Sequence, residues 1–215
     1  MKNILSKFVT GAFVVGSVIL VLAQKADAKS TQILDKVSAK YKANKNTYFK
    51  FSYGSGANGK ITKNETGIFY TTPSQYKLKI MDIEQIYDGN KIYNISTEDQ
   101  EVTIAKANGS EMMFSPTNYL NNYKKEYNAS YVGKKTISGK STDQIKLVPV
   151  KNNGLKEVHI FVDAAKNQLV RVEQFSVDNA VNAITIQDYK VNQKLDSKMF
   201  TFQKNNFKNY LITEL

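Results

Sequence analysis

The sequence has no cysteine, no tryptophan, three prolines and a single histidine in 215 residues. Without cysteine there can be no disulfide framework and no thiolate metal site. The residue that a lipid-attached export signal needs at its cleavage point is also missing. His159 alternates with Val158 and Ile160, which turns it to the polar side of a strand. A catalytic triad or a zinc site needs convergent partners, and no second histidine or cysteine supplies them. Arginine is as scarce: of 30 lysines and arginines, only Arg171 is an arginine. Nucleic-acid readers use arginine for bidentate contacts to bases and phosphates, so no nucleic-acid partner is expected. The scattered lysines read as a solvated surface with a loose attraction to anionic membranes or acidic partners.

Reactive groups are few elsewhere. Asp82, Glu84, Asp88, Glu98, Asp99 and Glu101 sit near turns, where they serve solubility rather than the paired-carboxylate geometry of a glycosidase. The stretch GSGANGK at 54–60 lies between strands and lacks the Lys-Ser/Thr ending of a phosphate loop. Four Asn-x-Ser/Thr sequences, at Asn64, Asn94, Asn108 and Asn128, are ordinary accidents of an Asn-rich chain. No catalytic residue, metal site or cofactor is expected, and the reading is not that of an enzyme.

One long apolar run is present, at residues 8–23, after Lys2 and Lys7 and before Ala26-Asp27-Ala28. A positive start, an apolar middle and a small-x-small ending form a secretory signal, so cleavage is expected after Ala28, with residues 29–215 as one exported, soluble domain. Losing three lysines and one aspartate takes the formal charge from +11 to +9.

What the sequence does have is a greasy, alternating β pattern. A helix with Ser30 and Thr31 as cap is expected to present Ile33, Leu34, Val37 and Tyr41. Strands follow at about 47–53, 61–72, 76–81, 83–87, 91–96 and 101–107, with hairpin turns at 54–60 and 88–90. Ser115-Pro116 announces a second helix with Tyr119, Leu120, Tyr123 and Tyr127 on its apolar face. Strands resume at about 131–137, 144–150, 158–162, 169–177 and 182–191, and 199–202 closes the series. The expected fold is mainly β (α+β): a half-open antiparallel barrel or strongly curved sheet of ten or eleven strands, covered by two or three amphipathic helices as a lid.

Several segments carry a resemblance. Gly67 to Tyr76, GIFYTTPSQY, has a strand, a proline and an aromatic three positions on. Ile86 to Ile95, IYDGNKIYNI, has an Asp-Gly turn before an aromatic strand, and MFTF at 199–202 looks like a closing strand. With the Ser115-Pro116 helix, this ordered set resembles the periplasmic outer-membrane lipoprotein carrier (LolA-like) family. The resemblance implies a carrier of acylated lipoproteins. Such a carrier receives its cargo from an inner-membrane ATP-driven transporter and passes it to an outer-membrane acceptor. It also implies a periplasmic monomer that touches membranes only transiently. Tyr76 matches an aromatic linked to lipoprotein handling. Thr72 stands where the family commonly has an arginine that holds the lid closed, so the gate is expected to differ here.

The expected lipid-binding wall is Phe49, Phe51, Ile68, Tyr70, Tyr76, Leu78, Ile80 and Tyr93, under a lid carrying Tyr119, Leu120 and Tyr123, with Thr72 at the gating position. The other reading is an envelope sensor or scaffold of the same shape that binds a lipid or a protein without transporting it.

Overall fold

The computed structural model describes residues 27–107, 117–196 and 198–215. Most of the expected leader and the Ser115-Pro116 signal lie outside the described residues. The elements are α1 (Ala28–Lys42), β1 (Thr47–Ala57), β2 (Lys60–Thr71), β3 (Tyr76–Ile80), β4 (Ile83–Tyr87), β5 (Lys91–Ser96) and β6 (Glu101–Lys106). Then come α2 (Asn118–Glu126), β7 (Tyr127–Ile137), β8 (Lys140–Pro149), β9 (Leu155–Asp163), β10 (Gln168–Ser176), β11 (Ala180–Val191), a 3-10 turn (Lys204–Phe207) and β12 (Leu211–Glu214).

All twelve strands form one sheet in the order β12-β6-β5-β4-β3-β2-β1-β11-β10-β9-β8-β7. Neighbours run antiparallel except β12, which lies parallel to β6. The first and last long strands, β1 and β11, pair at the centre and join the two halves of the chain. Because β7 and β12 remain as edges, the sheet is open. It is neither closed nor strongly curled, and the half-barrel expectation is corrected to a mainly β, open sheet with two helices.

Three local expectations also change. The cap of α1 is Asp27, not Ser30 or Thr31: its Oδ1 accepts the Ser30 N–H at 2.7 Å. Its N–H donates to the Ala129 carbonyl at 3.1 Å and its Oδ2 accepts the Tyr131 N–H, which pins the helix start to β7. Cleavage after Ala28 would remove this cap. Tyr127 is the first residue of β7 rather than part of the α2 stripe. The expected strand at 199–202 is a turn segment, and the strand that extends the sheet lies in the tail at β12, where it pairs with β6.

Both helices lie on one face. Leu34 and Val37 of α1 meet Tyr119, Leu120 and Tyr123 of α2 over Ile145, Leu147, Val158 and Ile160 of β8 and β9. The other face of β4–β6 is covered by the C-terminal segment, where Phe202 stacks on Tyr93 at 4.8 Å and on Phe207 at 5.2 Å. Among the described residues no helix is long and apolar enough to cross a membrane.

Candidate functional site

The helix-covered face of the central strands is aromatic. Strand periodicity puts Phe49 and Phe51 of β1 on that face, with Ile184 and Ile186 of β11 beside them and Tyr76, Leu78 and Ile80 of β3 beyond. Phe49 has no exposure at all. Its ring lies 5.8 Å from Tyr41 of α1, 6.3 Å from Phe69 and 5.6 Å from Tyr189. Phe69 passes the chain of rings to Tyr76 at 5.7 Å, and Tyr76 to Tyr87 at 5.5 Å. The Tyr76 hydroxyl donates to Gln85 Oε1 at 2.7 Å, so its polar end is satisfied within the sheet. Gly67, opposite Phe51, leaves room for that ring: a Cβ there would stand 2.4 Å from Phe51 Cζ.

Of the eight expected wall residues, five share this face. Ile68 and Tyr70 do not. They pair with Lys50 and Tyr48 on the opposite side, and Phe69 occupies the place assigned to them. The cause is a one-residue bulge. The Asn58-Gly59 turn pairs Ala57 with Lys60 and Gly56 with Ile61, but Ser55 then pairs with Lys63, so every later residue of β2 changes side. Tyr93 is likewise on the far face, stacked on Phe202. Its hydroxyl donates to Asp88 at 2.9 Å, and burial together with that carboxylate pushes its pKa up to about 12. The five shared residues are at most 6 % exposed, so the apolar face is closed over in this state rather than standing open as a hollow.

What is open is its end. A cleft of about 440 Å³ lies between the end of α1, the start of α2 and the ends of β1 and β2. Tyr41, Leu120, Thr47, Thr71 and Thr72 line it, with Asn121 on the rim. Tyr41 and Leu120 also belong to the apolar clusters beneath, so the cleft abuts the aromatic face. Thr72 is engaged in its own turn: Oγ1 accepts the N–H of Gln75 at 3.0 Å and of Ser74 at 3.3 Å. That is a short local bond, not the reach of an arginine.

The three expected lid residues are all buried. Tyr123 donates to Asp35 Oδ1 at 2.8 Å and Lys124 Nζ stands 2.8 Å from the same carboxylate, which ties α2 to α1. Tyr119 accepts from Gln174 Nε2, which ties α2 to β10. Sequence reading missed both ties, since neither Asp35 nor Gln174 lies in a motif. Burial pushes the Asp35 pKa up, but the bonds from Lys124 and Tyr123 outweigh it, leaving it below the usual carboxylate value of 3.8. At Asp27, in the chain that keeps its leader, the same opposition, won by the Ser30 and Tyr131 N–H groups, also lowers the pKa. A lowered folded-state pKa gives stability that is present above the ordinary value and is lost as pH falls through the folded one. Urea midpoints are therefore expected to hold level at neutral pH and to fall below about pH 4. The fall should be shallower in Asp35→Asn, which has already lost its share.

His159 Nε2 is 3.1 Å from Glu157 and Nδ1 is 3.2 Å from Gln144, beside the rings of Phe161 and Phe175. Among the described residues no cluster of His, Asp and Glu could hold a metal.

The family model for the outer membrane lipoprotein carrier protein LolA matches residues 54–203. The chain belongs to the LolA family. Its fold is similar to an uncharacterized conserved protein from Thermus thermophilus, with TM-score 0.60 and 8% identity over 87% of this chain and 99% of that one. It is also similar to MucB, known from Pseudomonas aeruginosa, with TM-score 0.50 and 11% identity over 82% of this chain and 64% of that one. For LprF from Mycobacterium bovis the TM-score is 0.48 and the identity 13%, over 80% of this chain and 98% of that one. Identities this low show the fold alone. No curated protein matches the sequence. LolA membership is that of a family of carriers rather than enzymes, and the sheet with two helices is the fold it carries here.

Proposed function

We propose that this LolA-family protein is exported to the periplasm, its leader removed, and that it shields the acyl chains of lipoproteins while they move from the inner to the outer membrane. The observation that carries the reading is the run of five buried apolar wall residues ending at a cleft bounded by two helices. Each methylene withdrawn from water is worth about 0.8 kcal/mol, so a lipoprotein with two or three long chains needs an extended apolar surface. The aromatic face supplies such a surface. The cleft is within the range of about 300–1,000 Å³ of small-ligand sites, so a whole anchor requires α2 to move. An inner-membrane ATP-driven transporter and an outer-membrane acceptor are the proposed partners. Thr72, with its side chain committed to a local turn, leaves the closing role to the Asp35–Tyr123–Lys124 tie.

The chain has no tryptophan, which makes a clean test available. Asn121→Trp places one emitter on the exposed rim of the cleft. A triacylated lipopeptide is expected to shift its emission to the blue with saturation, while the same peptide without acyl chains leaves it unchanged. Equal responses to both peptides would support the protein-binding scaffold instead, and no response to either would remove the carrier reading.

A further inference from the structure

On the sheet face away from the helices, a second cleft of about 440 Å³ lies between the β7–β8 turn and the strands β1, β2, β10 and β11. Pairing sets its floor: Arg171 is opposite Thr185, Thr185 opposite Ser52, and Asn64 opposite Gly54. Ser138 and Lys140 of the hairpin line it from the other side, and Gln187 lies in the register shift of β11. The lining holds two cations and no carboxylate.

Arg171, the chain's only arginine, is held still here. Its Nε donates to Glu173 Oε1 at 2.8 Å and its Nη1 to Thr185 Oγ1 at 2.6 Å. A guanidinium has five N–H donors, so three remain. Among the described residues Lys140 makes no ion pair, and the side chains of Ser52, Asn64, Ser138 and Gln187 make no hydrogen bond. Glu173 offsets part of the Arg171 charge, but its other oxygen is directed to His159, 3.9 Å from Nδ1, and Glu157 pairs with the same ring. Donors therefore face the cleft from the floor, the hairpin and the sides, and Glu173, paired with Arg171 through Oε1, does not line it.

We infer that this cleft is a binding site for a phosphate-bearing group, such as a phosphate ester or a phosphoglycerol headgroup. A tetrahedral oxyanion presents acceptors in several directions and meets donors arranged on several sides. A fixed guanidinium with a neighbouring ammonium is the arrangement that makes charge-assisted bonds to it. The site lies on the opposite face from the proposed acyl surface and does not depend on it.

A single arginine gives a single Nε–Hε NMR resonance, which reads this site alone. Titrating the whole domain with glycerol 3-phosphate is expected to move that resonance and the Ser52, Ser138 and Gln187 amides with saturation. Lys140→Glu, at an exposed position, is expected to weaken the response about tenfold, as loss of a charge-assisted bond does. Lys79→Glu, on the same face in β3 and outside the cleft, should leave it unchanged. A matching change with phosphatidylglycerol vesicles and none with phosphatidylcholine vesicles assigns a lipid source. A response to the soluble ester alone assigns a free ester, and both outcomes support the site. No saturable shift with the soluble ester, or equal weakening by Lys140→Glu and Lys79→Glu, would overturn it.

Discussion

Truncating Phe49 to alanine is expected to lower the unfolding free energy by about 3–5 kcal/mol, the cost of removing a wholly buried phenylalanine ring. The loss should sit at the high end, because three other rings surround this one. Tyr41 of α1, Phe69 and Tyr189 come from three different elements, and none can close the space without dragging its backbone. Aromatic pairs also contribute about 0.5–1.5 kcal/mol beyond area burial, and three such pairs would be lost together. Urea denaturation followed by tyrosine emission measures it. A loss under about 1 kcal/mol would mean that the rings can repack, and the aromatic face could not then be a shaped surface.

Leu120→Asp is the second large effect. The side chain is 2 % exposed between α1, α2 and the sheet, so aspartate would carry a charge into an apolar site without a partner. A nine-residue helix does not hold itself in water and depends on Tyr119, Leu120 and Tyr123 for its place. Amide protection is expected to vanish across 118–126 while β8–β10 keep theirs. Lipopeptide affinity in the Asn121→Trp background should fall by roughly tenfold or more, a change of at least about 1.4 kcal/mol. If protection were lost and affinity kept, α2 would be no lid. If protection persisted, Leu120 would not be what seats the helix.

Much of the architecture was legible because its signals are local. The alternation of Phe49 and Phe51, and of Tyr76, Leu78 and Ile80, marks a buried strand face at a period of two, and all five are buried together. The stripe Leu34, Val37 and Tyr41 marks the inner side of α1 in the same way. The face of β2 was not legible. Phe69 lies between Ile68 and Tyr70, and either choice alternates equally well; the bulge at Thr62, facing Ser55 and Gly56, decides between them. β12 was invisible for a different reason: a four-residue strand has little pattern of its own, and its partner is the distant β6.

Composition and periodicity alone determined a cysteine-free, mostly β chain with a secretory-type start and two amphipathic helices. These follow from residue chemistry and from spacings of two and about three and a half, which are properties of neighbours in the chain. The tertiary structure decided that the sheet stays open at β7 and β12, that Phe69 rather than Ile68 and Tyr70 joins the aromatic face, and that Asp35 and Gln174 hold α2 in place. It also decided that the lone arginine meets the β7–β8 hairpin at a second cleft. Each of these depends on register or on contacts between residues far apart in sequence. A one-residue bulge is enough to reverse such a contact, and nothing local forbids the bulge.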